Sequence, residues 1–110
     1  MNYNNTAPLV SVIVPNYNYS SFLKARLDSV FNQTYGNFEV ILLDDASTDN
    51  SVDMLKEYAK NEHTAVLEIN EKNTQCPFAQ WVKGIRLAKG KYCWMPRLTM
   101  WLRTIFWKFA

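Results

Sequence analysis

Glycine and proline are scarce in this chain of 110 residues, three and four respectively, which excludes collagen-like and low-complexity classes. There is one histidine, so a histidine-built metal site or catalytic triad is not expected. The two cysteines, Cys76 and Cys93, stand 17 positions apart. That spacing matches no zinc or redox motif and fits a reducing, cytoplasmic setting. No run of about 18 apolar residues occurs, so no membrane-spanning helix is expected. Residues 1–8 are polar and Asn-rich and read as an arm without the apolar core of a signal peptide. The net charge of +2 is too small to make nucleic acid a partner.

What is present is apolar and aromatic. A hydrophobic fraction of 48% argues against disorder. The length fits one small domain, able to bury roughly 65% of the surface its unfolded chain exposes. Charge is unevenly placed: residues 96–110 carry three basic residues, Arg97, Arg103 and Lys108, and no acid, while the remainder holds nine basic and ten acidic residues. Composition therefore divides the chain into an arm (1–8), a body (9–95) and a basic, aromatic tail (96–110).

Along the body, strand and helix patterns alternate. Residues 9–14, Leu-Val-Ser-Val-Ile-Val, read as a strand buried on both faces, stopped by Pro15. Ser20 or Ser21 can cap a helix over residues 22–33, with Leu23, Leu27, Val30 and Phe31 on one face. Residues 38–43 form a second apolar strand ended by Asp44 and Asp45. Ser47, Thr48 and Asp49 are cap candidates for a helix to about Lys60, with Val52, Leu55 and Ala59 inward. A weaker strand covers residues 64–69. A helix follows over residues 78–88, with Val82, Ile85 and Ala88 inward, and a fourth strand over residues 91–95. This alternation predicts an α/β fold: a Rossmann-like parallel sheet of about four strands with helices on both faces.

In such sheets ligands bind beyond the carboxyl ends of the strands. Here those ends are Pro15-Asn16-Tyr17-Asn18 and Asp44-Asp45-Ala46-Ser47. A carboxylate at a strand end can accept from a nucleobase N–H or a ribose hydroxyl, or it can solvate the loop and favour the next helix N-terminus. Tyr17 can stack on a base or serve as an ordinary loop aromatic. Neither a Gly-x-Gly-x-x-Gly nor a P-loop is present, so phosphates need a metal or basic side chains. Trp81 sits at helical spacing and reads as core, and His63 as a solvated residue.

Three segments, in order, resemble glycosyltransferase family 2 of the GT-A fold. Residues 10–18, Val-Ser-Val-Ile-Val-Pro-Asn-Tyr-Asn, look like its opening. Asp44-Asp45-Ala46-Ser47-Thr48-Asp49 is similar to its Asp-Asp-x-Ser-x-Asp. Residues 84–92 resemble its Gly-Ile-x-x-Ala-x-Gly-x-Tyr. The resemblance covers residues 9–95 and implies the nucleotide-binding half of an enzyme that transfers a sugar from a nucleoside diphosphate, of uridine type, to an acceptor hydroxyl, for cell-surface polysaccharide. It implies Pro15 and Tyr17 lining the base pocket and Asp45 meeting the base, with Asn18, Asp44 and Asp49 as supports. It also implies Mg²⁺ or Mn²⁺ on the diphosphate. Two departures stand out. A glycine expected soon after Asn73 is replaced by Thr74-Gln75-Cys76. The family's metal-binding Asp motif after the fourth strand and its acceptor half are missing, so this chain assigns no catalytic or metal-ligating residue and is expected to be inactive.

The tail admits two readings. Permitted codons from Met95 onward, read from the third base of codon 95, spell Ala-Glu-Ala-Asp-Asp-Val-Ala-Glu-Asp-Asn-Phe-Leu-Glu, similar to the family's missing stretch. The carboxylates depend on codon choice; the Val from Met100-Trp101, the Leu from Phe106-Trp107 and the Glu from Trp107-Lys108 are forced. On this reading one base is lost near codon 95 and the tail is out-of-frame translation. Alternatively, Leu98, Trp101, Leu102, Ile105, Phe106 and Phe109 make the apolar face of a basic helix lying on a membrane, peripheral at its inner face. An exposed half-domain surface also favours self-association. A different class, a receiver-like non-catalytic α/β module, would need a carboxylate cluster across strand ends. The Pro-Asn-Tyr after the first strand and Ile69-Asn70 after the third leave that cluster incomplete.

Overall fold

β-branched and aliphatic runs become the first two strands here because both are buried on both faces of one sheet, whereas the third is only partly buried. In the computed structural model, residues 8–32 and 35–94 are described, together with the backbone of a short strand at 105–107. The order is β1 (Val10–Asn16), α1 (Ser20–Phe31), β2 (Phe38–Asp44), α2 (Ser51–Tyr58), β3 (Thr64–Ile69), α3 (Pro77–Leu87), β4 (Tyr92–Trp94) and β5 (Ile105–Trp107). The sheet runs β3-β2-β1-β4-β5. The first four strands are parallel and β5 is antiparallel to β4.

Strand alternation separates two cores. Val12 and Val14 of β1 and Val40 and Leu42 of β2 pack with Leu23, Leu27 and Val30 of α1 and Leu55 of α2. Ile13, Ile41 and Leu43 face the other way, where Trp81, Ile85 and Leu87 of α3 pack. Helices therefore cover both faces, and Trp81 is a core residue. The approach of α3 needs a glycine: a Cβ at Gly84 would lie 2.4 Å from Ile13 Cγ2. On the same face Ser11 donates to the buried Glu39 carboxylate, which also accepts the Lys89 N–H, tying the turn before β4 to the sheet.

Several expectations need correction. Pro15 does not stop β1, which continues to Asn16. The Val10 N–H points to β2, where it donates to Asn37 O. By alternation Pro15 turns its nitrogen to the β4 side, whose pairing ends at Val12. The missing N–H costs no ladder bond there. Neither Ser20 nor Ser21 caps α1; the cap position is Tyr19, without a side-chain bond. At α2 the cap position falls on Asn50 rather than on Ser47, Thr48 or Asp49. Val82 lies outside the core that Ile85 and Ala88 join. His63 is half-buried, its ring stacked 4.0 Å from that of Phe38.

Of the tail, Leu98, Trp101, Leu102 and Phe109 lie outside the described residues, as do residues 1–7 of the arm. Ile105 and Phe106 form strand and not helix. Their β-branched and aromatic character suits the unpaired edge that β4 offers. Among the described residues no helix is long and apolar enough to cross a membrane.

Candidate functional site

The carboxyl ends of β1, β2 and β3 converge with the N-terminus of α3. Each of the three loops there contains one non-glycine residue in the left-handed region: Asn18 (φ 55°), Ala46 (φ 64°) and Gln75 (φ 56°). Left-handed backbone costs an ordinary L-residue about 1–2 kcal/mol, so side-chain bonds must hold these turns.

The bonds are present. Asp44, with 0% exposure, receives the Asn16 side-chain amide at 3.0 Å and the Ser47 hydroxyl at 2.7 Å on Oδ1, and the Ser47 N–H at 2.8 Å on Oδ2. Its carboxylate is consumed in joining the ends of β1 and β2. Asn18 accepts the Thr48 and Asp49 N–H groups at 2.7 and 3.3 Å, and its own N–H donates to Ser47 Oγ at 2.9 Å. Asp49 accepts the Ser51 N–H at the start of α2 and the Ser20 N–H at the start of α1, at 2.9 and 3.1 Å. It thus satisfies first-turn donors of both helices. Burial works to raise the Asp49 carboxyl, but the hydrogen bonds from Ser51 and Ser20 outweigh it and hold it at about 2.

Asp45 faces a different set of partners. Its backbone N–H donates to the carbonyl of Asn16, the residue before Tyr17, at 2.9 Å. Oδ1 accepts from Asn70 Nδ2 and from the Thr74 N–H, both at 2.9 Å, and Oδ2 accepts from the Thr74 hydroxyl at 2.7 Å. Asn73 adds a bond to the Asp45 carbonyl at 2.9 Å. The loop between β3 and α3 is therefore folded onto this one carboxylate. Burial works to raise the Asp45 carboxyl; the bonds from Asn70 and Thr74 and the charge of Lys83 prevail and hold it below its ordinary value. A carboxylate offers about four acceptor positions. Among the described residues Oδ1 has two donors and Oδ2 has one, which leaves one acceptor position on Oδ2 without a donor there.

The polar cluster continues into α3. Lys83 Nζ donates to Asn70 Oδ1 at 2.7 Å and pairs with Glu68 at 3.1 Å. Asn70 Nδ2 also donates to Gln80 Oε1 at 3.1 Å. Gln80 is 3% exposed, and its Nε2 has no partner among the described residues. An unmet buried donor costs about 1–3 kcal/mol. Tyr17, by contrast, is 43% exposed, and Pro15 is half-buried.

Pro15, Tyr17 and Asp45 thus share one edge, with Asn18, Asp44 and Asp49 beneath and beside them. The resemblance implies the loop over residues 70–77 beside the donor, but the individual roles of Asn70 and Thr74, and any role for Gln80 and Lys83, were not anticipated. A signal existed for Gln80: with Gly84 and Ala88 it falls every fourth residue on the buried side of α3, where a polar side chain is unusual. Cys76 is exposed and Cys93 buried, and neither is in a disulfide. Among the described residues no group of three or more His, Cys, Asp or Glu could hold a metal ion.

Residues 11–95 match the model of the family described as glycosyl transferase family 2. Over 88 residues the chain is 35% identical to the putative teichuronic acid biosynthesis glycosyltransferase TuaG of Bacillus subtilis, covering 80% of this chain and 34% of that one. It is 36% identical over 85 residues to a poly(ribitol-phosphate) beta-glucosyltransferase of Bacillus spizizenii, covering 76% of this chain and 13% of that one. The fold superposes on S. aureus TarS (residues 1–349) in complex with UDP with a TM-score of 0.73 at 27% identity, covering 81% of this chain and 27% of that one. For the mannosyltransferase PcManGT of Pyrobaculum calidifontis, solved with GDP-Man and Mn²⁺, the TM-score is 0.70 at 27% identity, covering 79% and 26%. The chain spans about a third or less of each of these proteins.

Proposed function

The chain belongs to glycosyl transferase family 2, and on that premise we propose that its carboxyl-edge site binds the nucleotide half of a nucleoside-diphosphate sugar, of uridine type. The observation that carries this reading is the Asp45 carboxylate, whose Oδ2 has a single donor among the described residues, at the same strand-end edge as the exposed Tyr17. A carboxylate takes the ring N–H of a uracil, and a tyrosine face stacks on its π surface. Pro15 stiffens the chain just before Tyr17. Asn18, Asp44 and Asp49 hold the two loops in which Tyr17 and Asp45 sit. The UDP complex of TarS supports a uridine nucleotide.

The longer relatives are named for teichuronic acid biosynthesis and for glucosyl transfer to poly(ribitol phosphate), which supports a parent activity of sugar transfer in polymer synthesis. A divalent metal supplies charge neutralisation on a leaving diphosphate. The described residues of this chain offer no cluster that fits one, and residues 96–110 contain no acid. No transfer step is therefore assigned to this chain. Calorimetry with UDP tests the site: saturable binding in the wild type, weakened at least about a hundredfold in Asp45→Ala, is expected. Unchanged affinity removes Asp45 from the site.

For residues 96–110 the reading favoured is out-of-frame translation after the loss of one base near codon 95. The family match ending at residue 95, where acidic residues are absent from the tail, supports it. The coding DNA decides: the shifted frame should stay open and encode an Asp-Asp motif. A frame that closes within a few codons sinks this reading and leaves a membrane-surface tail, to be tested by liposome co-sedimentation with and without those residues.

A further inference from the structure

We infer that Gln80 determines base specificity at this site, its side-chain amide donating to a nucleobase carbonyl oxygen whose neighbouring ring N–H is taken by Asp45; this rests on the reading of Asp45 above.

The orientation of the amides follows from the one group in the cluster that can only donate. Lys83 Nζ lies 2.7 Å from Asn70 Oδ1, so that atom is the carbonyl oxygen. Asn70 Nδ2 must then be the donor to Asp45 Oδ1 and to Gln80 Oε1, at 2.9 and 3.1 Å. Gln80 Oε1 is consequently the acceptor, and Nε2 is the atom left over. It is buried without a partner among the described residues. The amide is held by Asn70 in an orientation that leaves a donor unmet.

One acceptor position on Asp45 Oδ2 and one donor on Gln80 thus flank a single amide, that of Asn70. A lactam edge, with ring N–H beside C=O, answers both, and uracil and guanine carry such an edge. Cytosine opposes both: its bare ring nitrogen meets the carboxylate and its amino group meets the amide N–H. Unpaired polar groups in a buried site reject a mismatched ligand more strongly than lost contacts do. Thr74 donates to both carboxylate oxygens and is itself exposed, so it stands between Asp45 and solvent.

The test is calorimetry on the full chain with UDP and CDP, comparing wild type with Gln80→Met, which keeps the length and removes the donor. The wild type should prefer UDP, and Gln80→Met should lower UDP affinity about tenfold, about 1.4 kcal/mol, without lowering CDP affinity. A wild type that binds both equally overturns the Asp45 reading. A wild-type preference that Gln80→Met leaves intact overturns the role of Gln80 alone. Where Gln80→Met does not fold, the Gln80 side-chain amide is followed by NMR in the wild type. Its proton resonances should move downfield on adding UDP and stay in place with CDP or inorganic phosphate. Resonances that ignore UDP, or answer all three additions alike, overturn the inference.

Discussion

Thr74 binds both oxygens of Asp45, its hydroxyl 2.7 Å from Oδ2 and its backbone N–H 2.9 Å from Oδ1. One residue of the β3–α3 loop therefore does what a ligand N–H would do at the same carboxylate. Asp44, its neighbour in sequence, is spent on Asn16 and Ser47 inside the protein. Alternation at the end of β2 turns the two acids to different partners, Asp44 to Asn16 and Ser47 and Asp45 to Asn70 and Thr74.

Replacing Thr74 by Val keeps the shape and the backbone N–H but removes the hydroxyl. A hydrogen bond to a charged acceptor contributes about 1.5–3 kcal/mol. The Asp45 carboxyl, now held below its ordinary value partly by this bond, should titrate at higher pH in Thr74→Val. Carbon-13 NMR of the carboxyl measures it; an unmoved midpoint means that the hydroxyl does not stabilise the ionised form.

Acid should loosen the Asp49 junction in a defined window. Its carboxyl sits at about 2 in the folded chain against an ordinary 3.8. A depressed folded value means that the stabilisation is full above the unfolded value and is lost as pH falls through the folded one. The stability difference between wild type and Asp49→Asn should therefore be constant above about pH 5 and shrink between about 4 and 2. Urea denaturation across that range is the measurement. A difference independent of pH would show that the charge of Asp49 contributes nothing.

At Gly84 the expected effect is steric. An alanine Cβ would lie 2.4 Å from Ile13 Cγ2, in the middle of a strand that cannot retreat. Overpacking of this kind costs about 1–3 kcal/mol. Gly84→Ala should lower the thermal midpoint of the chain; a neutral result would mean that α3 shifts off the sheet without cost.

How far the sequence revealed all this depends on which force shaped each part. The four parallel strands and three helices were legible because burial on both faces writes β-branched runs and period-3.6 stripes into the chain. Pro15 misled because its effect depends on where β4 stops pairing, which is a property of the sheet. The capping of α1 by Asp49 joins residues 29 apart, beyond any local pattern. Asn70, Thr74 and Lys83 were hidden for a similar reason: their roles are set by convergence on Asp45, and singly they read as loop and surface residues. The strand at Ile105–Trp107 appeared only when an edge was available to pair with it.

One absence in the sequence has a measurable meaning. A glycine is expected shortly after Asn73, and Gln75 occupies that region with a φ of 56°. The turn is held by Asn73, whose side-chain oxygen accepts the Gln75 N–H at 2.6 Å, and by the Thr74 bonds to Asp45. Glycine at position 75 would remove a left-handed penalty of about 1–2 kcal/mol. It would also give the unfolded chain more freedom, at a cost of about 0.4–1 kcal/mol. The first effect is the larger, so Gln75→Gly should stabilise the chain by about 0.5–1 kcal/mol. Since Gln75 is exposed, no packing is lost in the exchange. Chemical denaturation should show a higher midpoint with an unchanged slope. A lower midpoint would mean that the Gln75 side chain itself stabilises the turn, and that the chain has replaced the glycine by something better than strain.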